Sequence, residues 1–565
     1  MLAKMGGHVN MMDDVLISNL PLDLLRSSLR TLVSQGSVTQ QPFVQHIRQR
    51  LTETPPSLTP AAQLFPSAGT VSPACRSYLR QTRCLFSCKL AQESLEYLSH
   101  LVSAIKLASA TWDEDSDLFS ALETFGGDII QAVQALKEAK PEPTPELKER
   151  VTGLLSSLKT CREYCQSAGL SYPFTRAERQ VQDACSFLYP DLASCMVGDD
   201  GPNGRIEVHL PSDSVIDMVK LGSVEVPRLF NGFWQLSSPA WGSGTAEKQE
   251  KALASFVESG LTAADMADHY GDAELVYGDF RQKLSPVIRE RVFAATKWCI
   301  FGPINQKVTK EWVLAAVEER SRRLSGRVDL LQFHWYDYEA KEYLDILTHL
   351  VSISKEKPEL VKSIGLCNFD SEHVQEACEY ILEKIGHVGL VSNQVQFSLL
   401  DSRPLHKMTD TCAKYGLKLL TYGTFCGGLL SEQWIGQPVP TIYSESSRLT
   451  PSQRKYLDVI SNWGSWQDFQ QLLSTLKAIA KNHNVSVTNV ATRWILQQPS
   501  VGAVIVGTRL GVTAHDSENL AVFAFQLSTE EMRDVDNVAL GNDKCRSLAI
   551  LRNLGDCGNE YRAMH

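Results

Sequence analysis

The chain has 565 residues, a formal net charge of −10 and 43% hydrophobic residues, and this length predicts more than one domain. The acidic balance and the lack of a long basic run give no reason to expect nucleic-acid binding. No apolar stretch approaches the roughly 20 residues that span a bilayer, and the acidic residues near position 13 are unlike those of a signal or transit peptide. We therefore expect a soluble cytoplasmic protein that binds neither nucleic acid nor membranes.

Residues 1–195 show the three- and four-residue apolar spacing of helices and almost no strand pattern. Long helices are predicted at about 77–110, 116–139, 144–167 and 175–187. Five prolines make the segment 54–73 a predicted loop. The first 195 residues are therefore predicted to form an all-helical domain, whose function the sequence does not indicate.

Two cysteine pairs in this region, Cys84/Cys88 and Cys161/Cys165, have the four-residue spacing that places both thiols on one helix face. A metal or redox site is one interpretation. No nearby histidine or further cysteine completes a zinc pattern, and buried free thiols are the commoner explanation. We predict no metal site.

The pattern changes across a predicted linker at 196–206, which contains a polar, glycine-rich run. A hairpin is predicted at 215–221 and 224–228, with Gly222 and Ser223 in its turn. Eight further strands, alternating with amphipathic helices, are predicted to begin near Phe230, Thr262, Val292, Leu330, Ser363, Val391, Leu417 and Ala503. This order predicts a closed (β/α)8 barrel, an α/β fold, over residues 207–545, with a tail at 546–565. A segment from Leu429 to about Trp463 is predicted to pass over the barrel mouth.

Polar residues stand where three of these strands end. Asp265, Lys297 and His334 end strands two, three and four, and Tyr270 lies in the loop after strand two. The carboxyl ends of barrel strands carry the chemistry in this architecture. A phenol titrates near pH ~10, so it donates poorly to a carbonyl unless a cation within about 4–6 Å lowers its pKa. The cluster predicts a general acid beside a carbonyl oxygen.

From about Ile206 to Asn542 the chain resembles the aldo-keto reductase superfamily. The motifs that carry the resemblance are Gly232-Phe233-Trp234-Gln235, the run from Asp265 to Tyr270-Gly271, Thr296-Lys297, Phe333-His334, Gly365-Leu366-Cys367-Asn368-Phe369, Ser392-Asn393-Gln394-Val395, Val506-Gly507-Thr508-Arg509 and Glu518-Asn519-Leu520. The resemblance implies that Tyr270 is the proton donor and that Asp265, Lys297 and His334 complete a tetrad. It also implies hydride transfer from NADPH to an aldehyde or ketone, or the reverse reaction.

The resemblance further implies the cofactor contacts. Asn368 and Gln394 would hold the nicotinamide carboxamide, Tyr422 would stack on its ring, and Arg509 would meet the 2′-phosphate. The full implied set is Trp234, Asn368, Gln394, Tyr422, Gly423, Phe425, Gly507, Arg509, Glu518 and Asn519. The segment from Arg509 to Asn519 is longer than in many members, with His515 where glutamine is common, so NADH remains the second choice.

Aromatic residues near strand ends offer walls for a small carbonyl or alcohol substrate. Trp234, Trp335 and Tyr336 are the candidates, and ordinary barrel packing is the alternative for each.

Two other functions stay open. The superfamily includes NADPH-binding regulatory proteins such as the potassium-channel beta subunits, so the chain is alternatively a sensor with slow or no turnover whose helical domain binds a protein partner. A third interpretation makes the helical domain a partner-binding scaffold, but no apolar stripe or charge run in it supports that function.

Overall fold

The computed structural model describes residues 11–192, 204–211, 216–242, 244–444, 449–513 and 515–562. Helices fill the first of these ranges, and a closed barrel with its surrounding helices forms from the others. Among the helices described, none combines the length and the apolar character needed to cross a membrane.

The N-terminal region is helix-rich, as predicted. Its helices are α1 (Met11–Asn19), α2 (Leu22–Val33), α3 (Ser37–Glu53), α4 (Ala61–Leu64), α5 (Pro73–Ser87), α6 (Ala91–Leu107), α7 (Asp117–Ala139), α8 (Pro145–Ala168) and α9 (Thr175–Leu188). Ser116 and Thr144 cap α7 and α8, because each side-chain oxygen accepts from a main-chain N–H in the first turn. Helices α5 to α9 share one apolar core.

The prediction of a single helix at 77–110 is wrong, since two helices, α5 and α6, occupy this segment. Lys89 between them has a φ of 67°, a left-handed conformation that a right-handed helix cannot continue through. The apolar spacing runs across the break without interruption, so the pattern did not reveal it. The predicted loop at 54–73 also contains the one-turn helix α4.

Ten strands are described. They are β1 (Met218–Leu221), β2 (Val224–Pro227), β3 (Leu229–Gly232), β4 (Ala263–Asp265), β5 (Phe293–Cys299), β6 (Val328–His334), β7 (Val361–Cys367), β8 (Leu390–Gln396), β9 (Lys418–Tyr422) and β10 (Val501–Gly507). Strands β1 and β2 form the predicted antiparallel hairpin. Strands β3 to β10 close a parallel barrel in sequence order, with β10 pairing β3. The predicted barrel fold is confirmed.

The barrel helices alternate with its strands. Their bounds are Ala246–Glu258, Ala273–Lys283, Pro286–Arg289, Lys310–Arg323, Glu342–Glu356, Ser371–Ile385, Met408–Tyr415, Pro451–Trp463, Trp466–His483, Val487–Leu496, Asp516–Leu520 and Thr529–Ala539. Two more helices follow, Cys545–Leu554 and Asn559–Arg562. The helix Pro451–Trp463 lies in the excursion predicted after β9. Its Tyr456 hydroxyl is 2.4 Å from where a Cβ on Gly423 would stand, so it packs directly on the end of β9.

The hairpin β1–β2 packs against the amino-terminal end of the barrel. Leu221 and Val226 share an apolar cluster with interior residues of the barrel strands, among them Phe230, Phe293 and Leu330. The rings of Phe230 and Phe293 meet edge to face at 5.6 Å between centroids. Apolar side chains therefore fill the barrel interior at this end and leave the polar chemistry to the opposite end.

Candidate active site

Four polar side chains meet at the carboxyl ends of β4, β5 and β6. Asp265, Lys297 and His334 are 3%, 2% and 4% exposed, so none of them is a surface residue. Lys297 Nζ donates to Asp265 Oδ2 at 2.5 Å and lies 4.8 Å from the centre of the Tyr270 ring. The Met266 carbonyl accepts a second hydrogen bond from the same ammonium at 2.9 Å. The structure thus brings the predicted acid, phenol and amine together.

The Asp265 carboxylate is the centre of a buried hydrogen-bond network. Its Oδ1 accepts from Gln332 Nε2 and from Gln394 Nε2, both at 2.8 Å. Gln394 Nε2 also donates to Gln332 Oε1 at 2.7 Å. Gln332 was not predicted from the sequence, although a signal was available: it lies two residues before His334 on β6, and alternate strand residues face the same side.

Burial governs the acidity of the phenol. It raises the pKa of Tyr270 above the usual value of about 10, and the opposing effect of Lys297, which lowers that pKa, is the smaller of the two. Burial alone would lower the pKa of Lys297, but Asp265 and Tyr270 raise it above its ordinary value. At neutral pH the pair is a cationic ammonium beside a neutral phenol. The expectation of a net depressed tyrosine pKa is wrong for this arrangement.

The His334 ring lies among aromatic side chains. Its centroid is 5.4 Å from that of Phe301 and 6.3 Å from that of Tyr561. Tyr561 belongs to the C-terminal helix Asn559–Arg562, so that segment reaches the barrel mouth. Its hydroxyl accepts from Lys455 Nζ at 2.7 Å and lies 3.0 Å from the Tyr422 hydroxyl. No sequence pattern signalled Tyr561 or Lys455.

Buried ionic contacts hold the C-terminal segment in place. Arg403, 1% exposed, donates to Glu560 Oε2 at 2.8 Å and to Asp401 Oδ2 at 2.7 Å. Arg562 Nη1 donates to the Asn368 carbonyl at 2.8 Å. A Cβ on Gly558 would stand 2.0 Å from that same carbonyl oxygen, and the φ of this glycine is 75°. The main chain therefore approaches Asn368 more closely than any side chain would permit.

Part of the predicted cofactor set lies around the end of β9. Asn368 Oδ1 accepts from the Tyr422 hydroxyl at 2.9 Å, which joins two residues predicted to contact nicotinamide. Gly423 follows with a φ of 81°, and Phe425 packs on the barrel core. The Thr424 hydroxyl is buried and has no hydrogen-bond partner among the described residues. An unsatisfied hydroxyl at the start of a glycine-rich turn fits a phosphate oxygen.

The other predicted cofactor residues lie at the end of β10. Gly507 ends the strand, and Arg509 is exposed, with its Nε donating to the Trp241 carbonyl at 2.8 Å. Trp241 packs on Trp234, with 4.8 Å between ring centroids. Glu518 and Asn519 belong to the short helix Asp516–Leu520, where Glu518 is paired with His515 at 3.3 Å. These residues form a second polar group beside the barrel mouth.

The three aromatic residues predicted to line the substrate pocket lie in different environments in the structure. Trp335 is 1% exposed, its Nε1 donates to the Ala340 carbonyl at 3.0 Å, and its ring stacks on Phe333. It therefore belongs to the barrel core and not to a pocket, because it follows the inward-facing His334 and strand residues alternate. Tyr336 is half-buried beside Trp335, and Trp234 is 38% exposed at the mouth.

Three potential metal ligands lie close together. Single atoms of Asp268, His269 and Cys299 fall within 4.8 Å of one another. Asp268 already pairs with Arg320, and its Oδ2 accepts from the Cys299 main-chain N–H at 3.1 Å. Burial and the Asp268 charge raise the pKa of the Cys299 thiol well above its ordinary value, which disfavours the thiolate that a metal needs. We assign no metal to this cluster.

Comparison with known proteins identifies the family. The model of the aldo/keto reductase family matches residues 228–540, more than half of the chain. The chain belongs to this family, whose members are oxidoreductases that act on carbonyls with NAD(P)H.

Individual relatives are distant in sequence. The chain is 24% identical to the aldo-keto reductase YhdN of Bacillus subtilis over 328 residues, which is 56% of this chain and 90% of that protein. It is 23% identical to the NADH-specific methylglyoxal reductase of Escherichia coli over 339 residues, 55% of this chain and 94% of that enzyme. The crystal structure of the thermostable aldo-keto reductase Tm1743 aligns with a TM-score of 0.42 and 23% identity, covering 57% of this chain and 100% of that one.

One relative is of a different kind. The flagellar radial spoke protein 5 of Chlamydomonas reinhardtii is 32% identical over 181 residues. This match covers 30% of the chain and 33% of that protein, so the chain spans only a third of its length.

Proposed function

We propose that this protein reduces an aldehyde or ketone to the alcohol, or catalyses the reverse, with NADPH as the hydride donor. The observation that carries the proposal is the Lys297 ammonium, which is bonded to Asp265 and lies 4.8 Å from the centre of the Tyr270 ring. The phenol keeps its proton at neutral pH, and the Lys297 ammonium stabilises the phenolate that forms when a carbonyl oxygen takes that proton. The family membership supports the same chemistry.

Each residue of the tetrad has a separate role in this proposal. The Tyr270 hydroxyl gives its proton to the carbonyl oxygen as the carbonyl carbon receives a hydride, and the product is an alcohol. Lys297 stabilises the phenolate that remains, and Asp265 holds Lys297 charged and aimed. His334 donates to the same oxygen and orients the carbonyl. NADPH, when bound, supplies the hydride.

The pH profile of carbonyl reduction tests the state of the phenol. The active form is the protonated one, so the rate falls as pH rises through the pKa of Tyr270. Because burial raises that pKa above about 10, we expect kcat for carbonyl reduction to show no alkaline decline from this group below about pH 9. The measurement is kcat against pH with saturating NADPH. A descending limb centred below pH 8 would show that Lys297 outweighs burial.

The residues around β9 and β10 fit a dinucleotide phosphate in this proposal. Thr424 offers a buried hydroxyl without a partner among the described residues, next to Gly423, whose positive φ a side chain would strain. Arg509 offers an exposed guanidinium, the group that matches phosphate geometry best. Gln394, Asn368 and Tyr422 would meet the nicotinamide. NADPH is preferred for these reasons, and NADH remains the alternative.

Replacement of Arg509 tests the choice of nucleotide. We expect Arg509→Gln to raise KM for NADPH by about tenfold or more and to leave KM for NADH within about twofold, since a charge-assisted phosphate contact contributes roughly 1.5–3 kcal/mol. Steady-state kinetics with both nucleotides measures the effect. Arg533→Gln is the control, because the Arg533 side chain is 67% exposed and pairs with Glu530 at the surface. An equal change in KM for both nucleotides would show that Arg509 does not contact the 2′-phosphate.

A second candidate is an NADPH-binding regulatory protein that turns over slowly or not at all. Two observations favour it: Tyr561 of the C-terminal helix contacts Tyr422, where the nicotinamide would stack, and the chain is similar to a protein named for the flagellar radial spoke. In this function the helical region would bind a protein partner. Tight NADPH binding without oxidation of the nucleotide across a panel of aldehydes and ketones would favour the regulatory role over the reductase.

A further inference from the structure

The loop that carries Tyr270 is residues 266–272, between β4 and the helix Ala273–Lys283. Its neighbours are not confined to the barrel. Helices α7 and α9 of the N-terminal region lie against it, although at least 80 residues of sequence separate Tyr270 from α9. The contacts fall on the residues directly around Tyr270.

The first contact is a buried ion pair two residues after Tyr270. Arg176 of α9 donates from Nε to Asp272 Oδ2 at 2.8 Å and from Nη2 to Asp272 Oδ1. The Asp272 side chain is 0% exposed and that of Arg176 is 14% exposed. A two-nitrogen fork on one carboxylate fixes orientation as well as distance. This pair therefore defines where the loop ends.

The second contact runs through an arginine of the barrel. Arg323 donates from Nη2 to the carbonyl of Gly271 at 2.9 Å, and its Nη1 pairs with Asp183 of α9. Arg322 and Lys137 also pair with Asp183. Burial alone would raise the pKa of Asp183, but these three cations lower it below its ordinary value, so the carboxylate stays ionised. Asp183 and the barrel residue Glu274, which accepts from Arg323 Nε at 2.7 Å, thus hold together the guanidinium that donates to Gly271.

Helix α7 supplies the third set of contacts. Gln134 Nε2 donates to the Asp268 carbonyl at 3.3 Å. A Cβ on Gly271, whose φ is 62°, would stand 2.9 Å from Cγ2 of Ile130, so α7 packs directly against the residue after Tyr270. Main-chain groups on both sides of the tyrosine are therefore tied to the helical region.

We propose that the helical region is part of the reductase centre, and that Arg176 and Asp183 are positioning residues which fix the Tyr270 loop. The proposal rests on the reductase function proposed above, since it concerns the placement of the proton donor. A free barrel would leave Asp272 and Arg323 without these partners, and the loop would sample other conformations. A displacement of about 1 Å in a catalytic group can cost roughly 100-fold in rate.

The test uses the 565-residue chain with the single substitutions Arg176→Gln, Arg176→Lys and Asp272→Asn. A double variant combines Arg176→Gln with Asp272→Asn. We expect Arg176→Gln to lower kcat by ten- to 100-fold and to leave Kd for NADPH and KM for the carbonyl within about twofold. The double variant should be no worse than the worse single variant, because both remove one contact. Arg176→Lys keeps the charge and should recover part of kcat. Arg179→Gln is the control: it removes the Arg179–Asp279 pair from the same helix, and that pair does not touch the loop.

Hydrogen exchange of residues 266–272 gives a readout that needs no turnover. We expect the main-chain amides of the loop to exchange at least tenfold faster in Arg176→Gln and at the native rate in Arg179→Gln. A native chain without carbonyl turnover would refute the proposed function, while the exchange data would still test the positioning. Unchanged exchange and unchanged kcat in Arg176→Gln would overturn the inference. Equal losses in Arg176→Gln and Arg179→Gln would do the same, since they would indicate general destabilisation.

Discussion

Tyr270→Phe should abolish carbonyl reduction while leaving nucleotide binding intact. The substitution removes one hydroxyl and keeps the ring that lies 4.8 Å from Lys297 Nζ, so the site keeps its shape and loses only its proton. General acid catalysis contributes about 10²–10⁴-fold, and we expect kcat to fall by that amount. Kd for NADPH should stay within about twofold. The measurements are the loss of nicotinamide absorbance during turnover and fluorescence titration of binding.

Tyr277→Phe is the matched control for this variant. Tyr277 is also buried, lies seven residues later on the adjoining helix, and donates to the Phe293 carbonyl at 3.3 Å. Loss of that hydrogen bond should lower stability by about 0.5–1.5 kcal/mol and leave kcat near its native value. Turnover by Tyr270→Phe at more than a tenth of the native rate would show that Tyr270 is not the proton donor.

Lys297→Met should damage both activity and stability. The variant leaves the Asp265 carboxylate buried without its cation, and removal of one partner from a buried ion pair costs about 3–5 kcal/mol. We expect kcat to fall at least 100-fold. The free energy of unfolding at pH 8 should fall by about 3–5 kcal/mol. Denaturant unfolding of the variant and of the native chain at pH 8 measures the loss of stability.

Two further variants distinguish the effect of an unpaired buried carboxylate from the loss of a lysine in general. Lys297→Met combined with Asp265→Asn removes both charges, so it should recover stability but not activity. Lys310→Met removes a lysine whose pair with Glu356 is 39% and 53% exposed, and it should change stability by less than about 1 kcal/mol. A Lys297→Met protein as stable as the native one at pH 8 would contradict the buried pair.

Strand positions could be read from the sequence because burial sets them. The eight barrel strands begin within two residues of the predicted positions, since apolar runs between turn signals are dictated by a core that covers both faces of the sheet. Asp265 and His334 were found in the same way, because each ends its strand. Lys297 was expected to end β5 but lies two residues before the end of that strand. The break at Lys89 was not readable, since a single left-handed residue leaves the apolar spacing unchanged.

Contacts between distant segments could not be read from one sequence. Arg176, Asp183 and Arg323 are single charged residues in ordinary helices, and such residues are usually solvated. Only the fold brings Asp183 and Arg323, 140 residues apart, into one buried pair. The acidity of Tyr270 was mispredicted for a related reason: spacing revealed the neighbouring cation but not the extent of burial that outweighs it.

The hairpin beneath the barrel has a consequence for how a catalytic cycle is completed. Leu221, Val226 and the interior residues they pack against form an apolar layer below Asp265 and Lys297. Each reduction would leave a tyrosinate, which must take up a new proton from bulk water. Hydronium or buffer acid then has to arrive through the same opening that admits the carbonyl compound and discharges the alcohol, so proton supply and product exit share one route.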